Sequence, residues 1–476
     1  MDVEREIKEI KKQFHDSFDV VSRILDKNGA KVGFVYLKSM TDGTLFAENV
    51  YQPLVLFDGD INFDIAKKLV QVKEVFSVQK NEIIEKILGG VAIILFSNDE
   101  NFLGVDLQDF LTRTPSEPPT SPVLMGPREG FTEDIKTNIT LLRRRFHSKD
   151  LVLREEVAGS VTQTKIVLAY IDGVADEKIV KEVEKRIKKI KIDGVVDSYY
   201  LLTLISDRPN SMLKQVGLAE KPDIIAAKML EGRVAILVDN SPIVLTVPFM
   251  FLEDVQNSND YYTNYTYSTF VRIIRILGLF IAVLGPGTYI ALELFHINIL
   301  PVKYLITIAD STQQIPFTPF LEILFVDLLF QILYEVSLRL PSYLGLATSV
   351  VGALILGDTG VKAGLISPPT VIIVAIAKIA LYTIPEQNAQ TNVLQFVFLI
   401  LGASLGIMGI IGGMIFMFGY ANTLENFGTP YLAPFSPFIL SDNKDGMLNV
   451  PITDMNKRPK AIKNEQEERV ENAKKG

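Results

Sequence analysis

At 476 residues the chain has room for two or three domains, and its 48% hydrophobic content and mean hydropathy of +0.25 exceed those of an ordinary soluble enzyme. A net charge of −8 and a pI near 5.3 speak against a nucleic-acid-binding protein, which needs clustered Lys and Arg in excess of nearby acids. With no cysteine, disulfides, thiolate metal sites and a cysteine nucleophile are excluded.

The opening residues, MDVEREIKEIKKQF, are charged and helical rather than basic and then apolar, so no secretory signal is expected and the N-terminal half is predicted to be cytosolic. Charge is concentrated before about residue 265, and long stretches after Phe270 are nearly free of it. Within the charged half two segments read as copies of one unit. Residues 31–42 (KVGFVYLKSMTD) and 165–176 (KIVLAYIDGVAD) are alternating strands with Tyr36 and Tyr170 at the same offset and an Asp at the end. About sixty residues on, 88–98 (LGGVAIILFSN) and 230–240 (LEGRVAILVDN) give each copy a second strand. Helical patterns at 64–76 and 177–190 lie between them.

A spacer separates the copies: residues 112–122 (TRTPSEPPTSP) hold four prolines, which continue neither a helix nor a central strand. GPREGF at 126–131 follows, then TEDIKTNITLLRRRF. Thr132 is the expected N-cap, Glu133 and Asp134 fall in the first turn, and Arg143, Arg144 and Arg145 in the last, with Ile135, Ile139, Leu142 and Phe146 on one apolar face. One reading is a capped docking helix. The other is a subunit interface made by Gly126, Pro127, Arg128, Glu129, Gly130 and Phe131 with the arginine run.

Four segments approach the ~20 apolar residues that a membrane span needs, at about 270–295, 320–340, 365–384 and 393–420, while 349–356 is too short to cross alone. Arg272 and Arg275 before the first span, and the basic residues after Tyr420, place both termini in the cytosol. That arrangement puts 296–319 and the Lys- and Arg-free stretch 386–392 outside. In the second span Asp327, Gln331, Glu335 and Arg339 recur at steps of four and make one polar stripe. It reads either as an ion-conducting surface or as an internal polar network with Glu335 paired to Arg339. Glu293 and Glu322, near span ends, read as interfacial.

Gly285, Pro286 and Gly287 interrupt the first span and predict a hinge or kink. Gly402, Gly406, Gly409 and Gly413 give the fourth the small-residue spacing that lets backbones approach, within or between subunits. Lys378, inside the third span, needs a partner, and Asp327 or Glu335 is the candidate. The three histidines are scattered, so neither metal nor cofactor is expected, and GDTGVKAG at 357–364 lacks the ending of a phosphate loop. No catalytic constellation emerges.

The GPREGF segment with its helix closely resembles the signature of the GerA family A subunits of spore germination receptors. Further blocks agree in order along nearly the whole chain: 220–242 (EKPDIIAAKMLEGRVAILVDNSP), 249–262 (FMFLEDVQNSNDYY), 300–335, 340–369 and 431–446 (YLAPFSPFILSDNKDG). The resemblance implies an oligomeric protein of the spore inner membrane that forms a nutrient-gated monovalent-cation channel. It also implies a transporter-like B subunit and a lipoprotein C subunit as partners, with no nucleic acid. A scaffold for receptor clusters, or an amplifier of the stage V sporulation AF type, is the alternative; FHDSFDVVSRIL at 14–25 looks more like the receptor type. The expected architecture is an α/β cytosolic region of two similar subdomains followed by an α-helical polytopic membrane domain. Its units are 1–112, a linker at 113–130, 131–266, a membrane region at 267–420 and a cytosolic tail at 421–476.

Overall fold

The computed structural model describes residues 2–27, 29–108, 125–312, 315–341 and 354–469, with positions 345, 350 and 352. The proline-rich spacer at 112–122 lies outside the described residues, as do 349, 351 and 353 of the short apolar segment.

The first lobe opens with helix α1 (Val3–Gln13), capped by Asp2, and builds one sheet from β1 (Val20–Lys27), β2 (Ala30–Leu37), β3 (Val75–Val78), β4 (Val91–Phe96) and β5 (Phe102–Asp106). Helices α2 (Phe63–Leu69) and α3 (Ile83–Leu88) flank β3 in sequence. The second lobe repeats this plan: α4 (Ile135–Arg145), β6 (Leu151–Ala158), β7 (Thr164–Ile171), α5 (Glu177–Lys188), α6 (Ser198–Ile205), β8 (Gly217–Ala219), α7 (Pro222–Leu230), β9 (Val234–Val238) and β10 (Val244–Val247).

The two sheets have the same order, β1-β2-β4-β5-β3 and β6-β7-β9-β10-β8, and every pair is antiparallel. The repeated segments occupy equivalent places, β2 and β7, β4 and β9. Tyr36 faces Val21 and Tyr170 faces Val152 across matching hairpins. Asp42 and Asp176 each end the strand unit by capping a helix through backbone N–H groups. The helical expectation at 64–76 is corrected: α2 stops at Leu69 and Val75–Val78 forms an edge strand, because Val75, Phe76 and Val78 supply β-branched and aromatic side chains where the helix pattern runs out.

Each sheet is covered on both faces. Val3, Ile7 and Ile10 of α1 pack with Ile87 of α3 against Val35, Leu37 and Ile93, as Ile139 and Leu142 of α4 pack with Ile225 of α7 against Leu153, Val167 and Leu237. The cap of α4 is Asp134, two residues later than the expected Thr132. The Asp134 carboxylate accepts from the backbones of Lys136 and Thr137, while Thr132 N–H is held by the Asn138 side chain.

The C-terminal part is helical: α8 (Tyr265–Phe295), α9 (Val302–Thr312), α10 (Pro319–Arg339), α11 (Pro368–Leu381) and α12 (Asn388–Asn422). Two helices among the described residues, Tyr265–Phe295 and Pro385–Asn422, are long and apolar enough to cross a membrane. α11 has 14 residues, and α10 is interrupted by Glu322, Asp327, Glu335 and Arg339.

The bundle has a lobe end and a far end. At the lobe end Leu252 and Val255 pack with Ile384, just past α11. At the far end Phe295 and His296 lie against Gly406. α12 does not run straight between them. Gly406 adopts φ 63°, ψ −148°, a region open essentially only to glycine, and the chain reverses there. A Cβ on Gly413 would meet Leu401 at 2.7 Å and Phe398 at 2.8 Å, and Gln387 and Ala421 line one cavity at the lobe end. α12 is therefore a helical hairpin with both feet at the lobe end. This corrects the single fourth span, and it assigns the Gly402, Gly406, Gly409 and Gly413 spacing to packing within one chain.

The remaining path also differs from expectation. α10 starts at the far end, where Ile323 and Val326 pack on Tyr289 and Ile290, and finishes beside α11's lobe-end terminus, where Tyr334 meets Tyr382. Gly345 then lies near Ser337, Gly352 against Leu333, and Val361 in the cluster with Ile323. Gly345, Gly352 and Val361 thus lie progressively back along α10, and α11 begins at the far end. The placement of 386–392 on the outside is overturned: Gln387 donates to Asp254 at 2.6 Å, beside the second lobe. After α12 the tail turns back over that lobe, where Arg458 Nε donates to Leu230 O at 2.8 Å and Asn464 bridges Ala175.

Candidate functional site

The polar stripe of α10 is divided by the bundle. Asp327 points inward. Its Oδ1 lies 2.9 Å from Lys378 Nζ of α11, and the ammonium also donates to Asn392 Oδ1 at 2.9 Å and Gln395 Oε1 at 3.1 Å in the first limb of α12. Gln395 returns a hydrogen bond from Nε2 to Asp327 at 3.1 Å. The three acceptors use all three Lys378 donors. The pair is 10% and 14% exposed, so each charge would cost several kcal/mol without the other. Asp327 thus accepts from Lys378 and Gln395, and its charge is matched inside the chain.

A step of four residues advances a helix by 40° beyond a full turn, so the stripe winds about the axis by about 40° per step. Gln331 is half-buried, and Glu335 and Arg339 have turned away from the chain's own bundle. They pair with each other at 2.5 Å while their side chains stay 52% and 78% exposed. Asp358 and Lys362, close in sequence to Val361, form a second exposed i,i+4 pair at 2.6 Å.

Glu322 is not interfacial as its position near a helix end suggested. It is 2% exposed and accepts 2.7 Å hydrogen bonds from both N and Oγ of Ser367, the N-cap of α11. Gly285, Pro286 and Gly287 do not break α8, which is continuous from Tyr265 to Phe295 with Pro286 buried inside it. The expected hinge is replaced by close packing: Gly287 and Gly402 meet backbone to backbone, leaving no room for a Cβ on either.

Beneath the bundle sits a second charged cluster that sequence reading touched only as flanking basic residues. Arg272 is fully buried and donates to Asp260 at 2.9 Å and to Asp445 at 3.1 Å, and Arg275 holds Asp260 at 2.7 Å. Tyr261 OH donates to the same Asp445 carboxylate at 3.0 Å. Burial pushes the Asp445 carboxyl up to about 6 despite the neighbouring Arg272, and burial also raises the Tyr261 phenol. Alongside, Lys214 of the second lobe holds Asp254 at 2.7 Å, and Asp254 accepts from Gln387 at the foot of α12. Glu253 pairs with Lys228 and Arg233. Acids bunched in FMFLEDVQNSNDYY ahead of an apolar run were the available signal.

The GPREGF residues do two jobs. Phe131 is buried, its N–H donating to Glu220 O at 2.7 Å, so two sequence blocks, GPREGF and EKPD, meet. Gly126 at φ 109° abuts the Tyr262 ring, and Tyr262 OH donates to Asp223 at 2.8 Å. Glu129 pairs with Arg144 at 3.6 Å and Arg145 at 3.2 Å, with Arg128 exposed and Pro127 and Gly130 progressively more covered. Arg143 is corrected: it is 1% exposed and forks onto Asp19 of the first lobe at 2.8 and 2.9 Å, so it joins the lobes and offers nothing to another subunit.

The family described as Bacillus/Clostridium GerA spore germination protein matches residues 8–461. The chain is 34% identical to spore germination protein KA of Bacillus subtilis (strain 168) over 97% of this chain and 87% of that one. It is 31% identical to spore germination protein A1 of the same organism, covering 93% and 92%, and 35% identical to the uncharacterized membrane protein YfkQ, covering 93% and 87%. Among solved structures it is similar to the N-terminal domain of the A subunit of the Bacillus megaterium spore germinant receptor GerK3, with 27% identity, a TM-score of 0.40, and coverage of 52% of this chain and 94% of that chain.

Proposed function

The chain belongs to the GerA family of spore germination proteins, and on that footing we propose that it is a germinant receptor A subunit, embedded in the spore inner membrane, that assembles with copies of itself into a cation channel. The transporter-like B subunit and the lipoprotein C subunit are its proposed partners. The lobes and the tail lie in the cytosol, on the side marked by Arg272 and Arg275. α8, α10, α11 and the two limbs of α12 are the proposed membrane passes, and the tail returns to the lobes.

The observation that carries the channel reading is the exposed Glu335–Arg339 pair on a helix whose other exposed residues, Leu321, Phe325, Leu328, Ile332, Val336 and Leu338, are apolar. Hydrocarbon tolerates such groups poorly, so this face of α10, with Gln331 and the Asp358–Lys362 pair, belongs against water or another subunit. Asp327 is better read as a structural pin through Lys378, which narrows the conducting surface to Gln331, Glu335 and Arg339. The domain division at residues 112, 130, 266 and 420, and the exposed part of GPREGF with Arg144 and Arg145 as a subunit interface, are parts of the same proposal.

The test is nutrient-triggered potassium release from spores lacking this gene and complemented with wild type, Glu335→Gln or Asp327→Asn at matched protein level. Altered release with Glu335→Gln supports conduction along α10. Unchanged release and unchanged single-channel selectivity in purified bilayers would sink it and favour a scaffold.

A further inference from the structure

The segment that leaves α12 carries no charged residue from Asn426 to Ser441, although the lobes beside it are rich in Lys and Glu. At its outer end the side chains alternate. Ile439 turns inward and packs with Met250, Ala433 and Ile462, while Phe438 and Leu440 on either side of it stand 71% and 74% exposed. Phe435 and Pro437 are exposed as well, so every exposed residue between 435 and 440 is apolar. Met447 lines one chamber with Phe435, and Leu448 next to it is exposed. Scattered apolar side chains are ordinary on a protein surface, but a group of this kind marks a surface that something covers.

Contacts fix the level of this loop on the bundle. Ser436 Oγ donates to Asn422 Oδ1 at 2.6 Å, at the last turn of α12, and Phe435 faces the same chamber as Ile276 and Phe280 of α8 and Phe418 of α12. On the other flank, Asn449 N–H donates to Thr269 Oγ1 at 2.9 Å, and Arg272 donates to Gly446 O at 2.9 Å. This is the level at which α8 changes character. Arg275 is its last charge before Glu293, and Ile274, Leu277 and Phe280 beside and beyond it are exposed. The loop thus adjoins the apolar flanks of both helices at the point where they leave the charged layer above the second lobe. Exposed Lys444, a few residues on, supplies a cation of the kind that phosphate headgroups attract. A lipid surface meets all of these features at one depth.

We propose that residues 435–440, with Met447 and Leu448, form a membrane-docking loop, Phe438 and Leu440 inserting among the headgroups and upper acyl chains of the leaflet on the lobe side. The inference rests on the membrane reading given above and adds to it a lipid contact outside the helices. The returning tail is then held by three surfaces, the second lobe, the base of α8 and the bilayer.

The chain has no native tryptophan, so one introduced at an exposed position reports alone. The experiment reconstitutes the full chain, as Phe438→Trp or Leu440→Trp, in phosphatidylcholine–phosphatidylglycerol vesicles whose phosphatidylcholine is brominated either near the headgroup or near the chain end. Phe416→Trp, on an exposed position of α12, reports embedding, and Tyr199→Trp, on the exposed face of α6 in the second lobe, reports water. Bromine near the headgroup should quench Phe438→Trp and Leu440→Trp at least twofold more than bromine near the chain end, and Tyr199→Trp should be unquenched by either. Quenching of Phe416→Trp with none at the two loop positions overturns the docking loop and leaves the membrane reading standing; blue-shifted emission there then assigns the patch to a second copy, and red-shifted emission to water. Absence of quenching in Phe416→Trp as well overturns the membrane reading on which the loop depends.

Discussion

The guanidinium of Arg143, at the end of α4, is locked onto the carboxylate of Asp19, just before β1, so the second lobe reaches into the first through a fully buried ion pair. Ser17 Oγ joins it, donating to Asp19 at 2.7 Å and accepting from Arg143 at 3.1 Å. Removing one partner strands the other charge away from water. Asp19→Ala should destabilise the lobes by ~3–5 kcal/mol, against less than ~1 kcal/mol for Arg144→Ala on the exposed Glu129 pair. Chemical denaturation of the purified chain measures both; equal, small effects would refute the anchoring role.

The Asp327–Lys378 pair makes a different demand. Lys378→Met alone should lower the unfolding temperature and protein abundance, and Asp327→Leu alone likewise, each by ~3–5 kcal/mol. The double variant should recover most of that loss, because no unpaired charge remains. Additive losses in the double variant would show that the pair does not act as a unit.

For the hairpin, the absence of native cysteines gives a clean background. Single cysteines at Glu386 and Asn422 should react with impermeant thiol reagents from the side that bears the lobes, and one at Leu405 only from the opposite side. Reaction of Glu386→Cys and Asn422→Cys from opposite sides would restore the single-span reading. Gly406→Ala, whose backbone falls where a Cβ is strained, should cost ~1–3 kcal/mol and reduce folded yield.

Asp445 predicts a pH dependence. Its carboxyl is raised from the usual 3.8 to about 6, so between those values the folded protein binds the extra proton. Stability is greatest below pH ~4 on this group's account and is lost as pH rises through ~6, by up to ~3 kcal/mol. Asp445→Asn should flatten that part of the thermal stability profile. A wild-type profile already flat from pH 4 to 7 contradicts the shift.

The two-lobed plan could be read because each copy carries an alternating strand, an Asp cap and a buried apolar strand, all local signals. The edge strand Val75–Val78 was hidden since four residues cannot establish a period against a preceding helix. Lys378 announced its need for a partner by being a charge among apolar residues, whereas the choice of Asp327 over Glu335 depended on which helices adjoin. The reversal at Gly406 was illegible for a specific reason: the glycine that turns the chain sits in a regular run of glycines that packing alone explains. Spans were counted by apolar length, and length is unchanged when a helix folds back. Arg143 looked like an ordinary basic residue because its acid lies across a lobe boundary, and Arg272 because its second acid, Asp445, stands 173 residues further on, although Asp260 is only 12 before it.

Both feet of the α12 hairpin stand on the second lobe, Gln387 through Asp254 and Lys214, and Asn426 through the carbonyl of Gln215 and the backbone of Phe249. A hairpin fixed at both feet behaves as a lever with one base. Rotation of the second lobe is geometrically a rotation of that lever, and the arc is longest at the tip, where Gly406 bears on Phe295 and His296. A small angular change in the second lobe thereby becomes a larger linear displacement at the far end of the bundle, with no helix needing to unwind along the way.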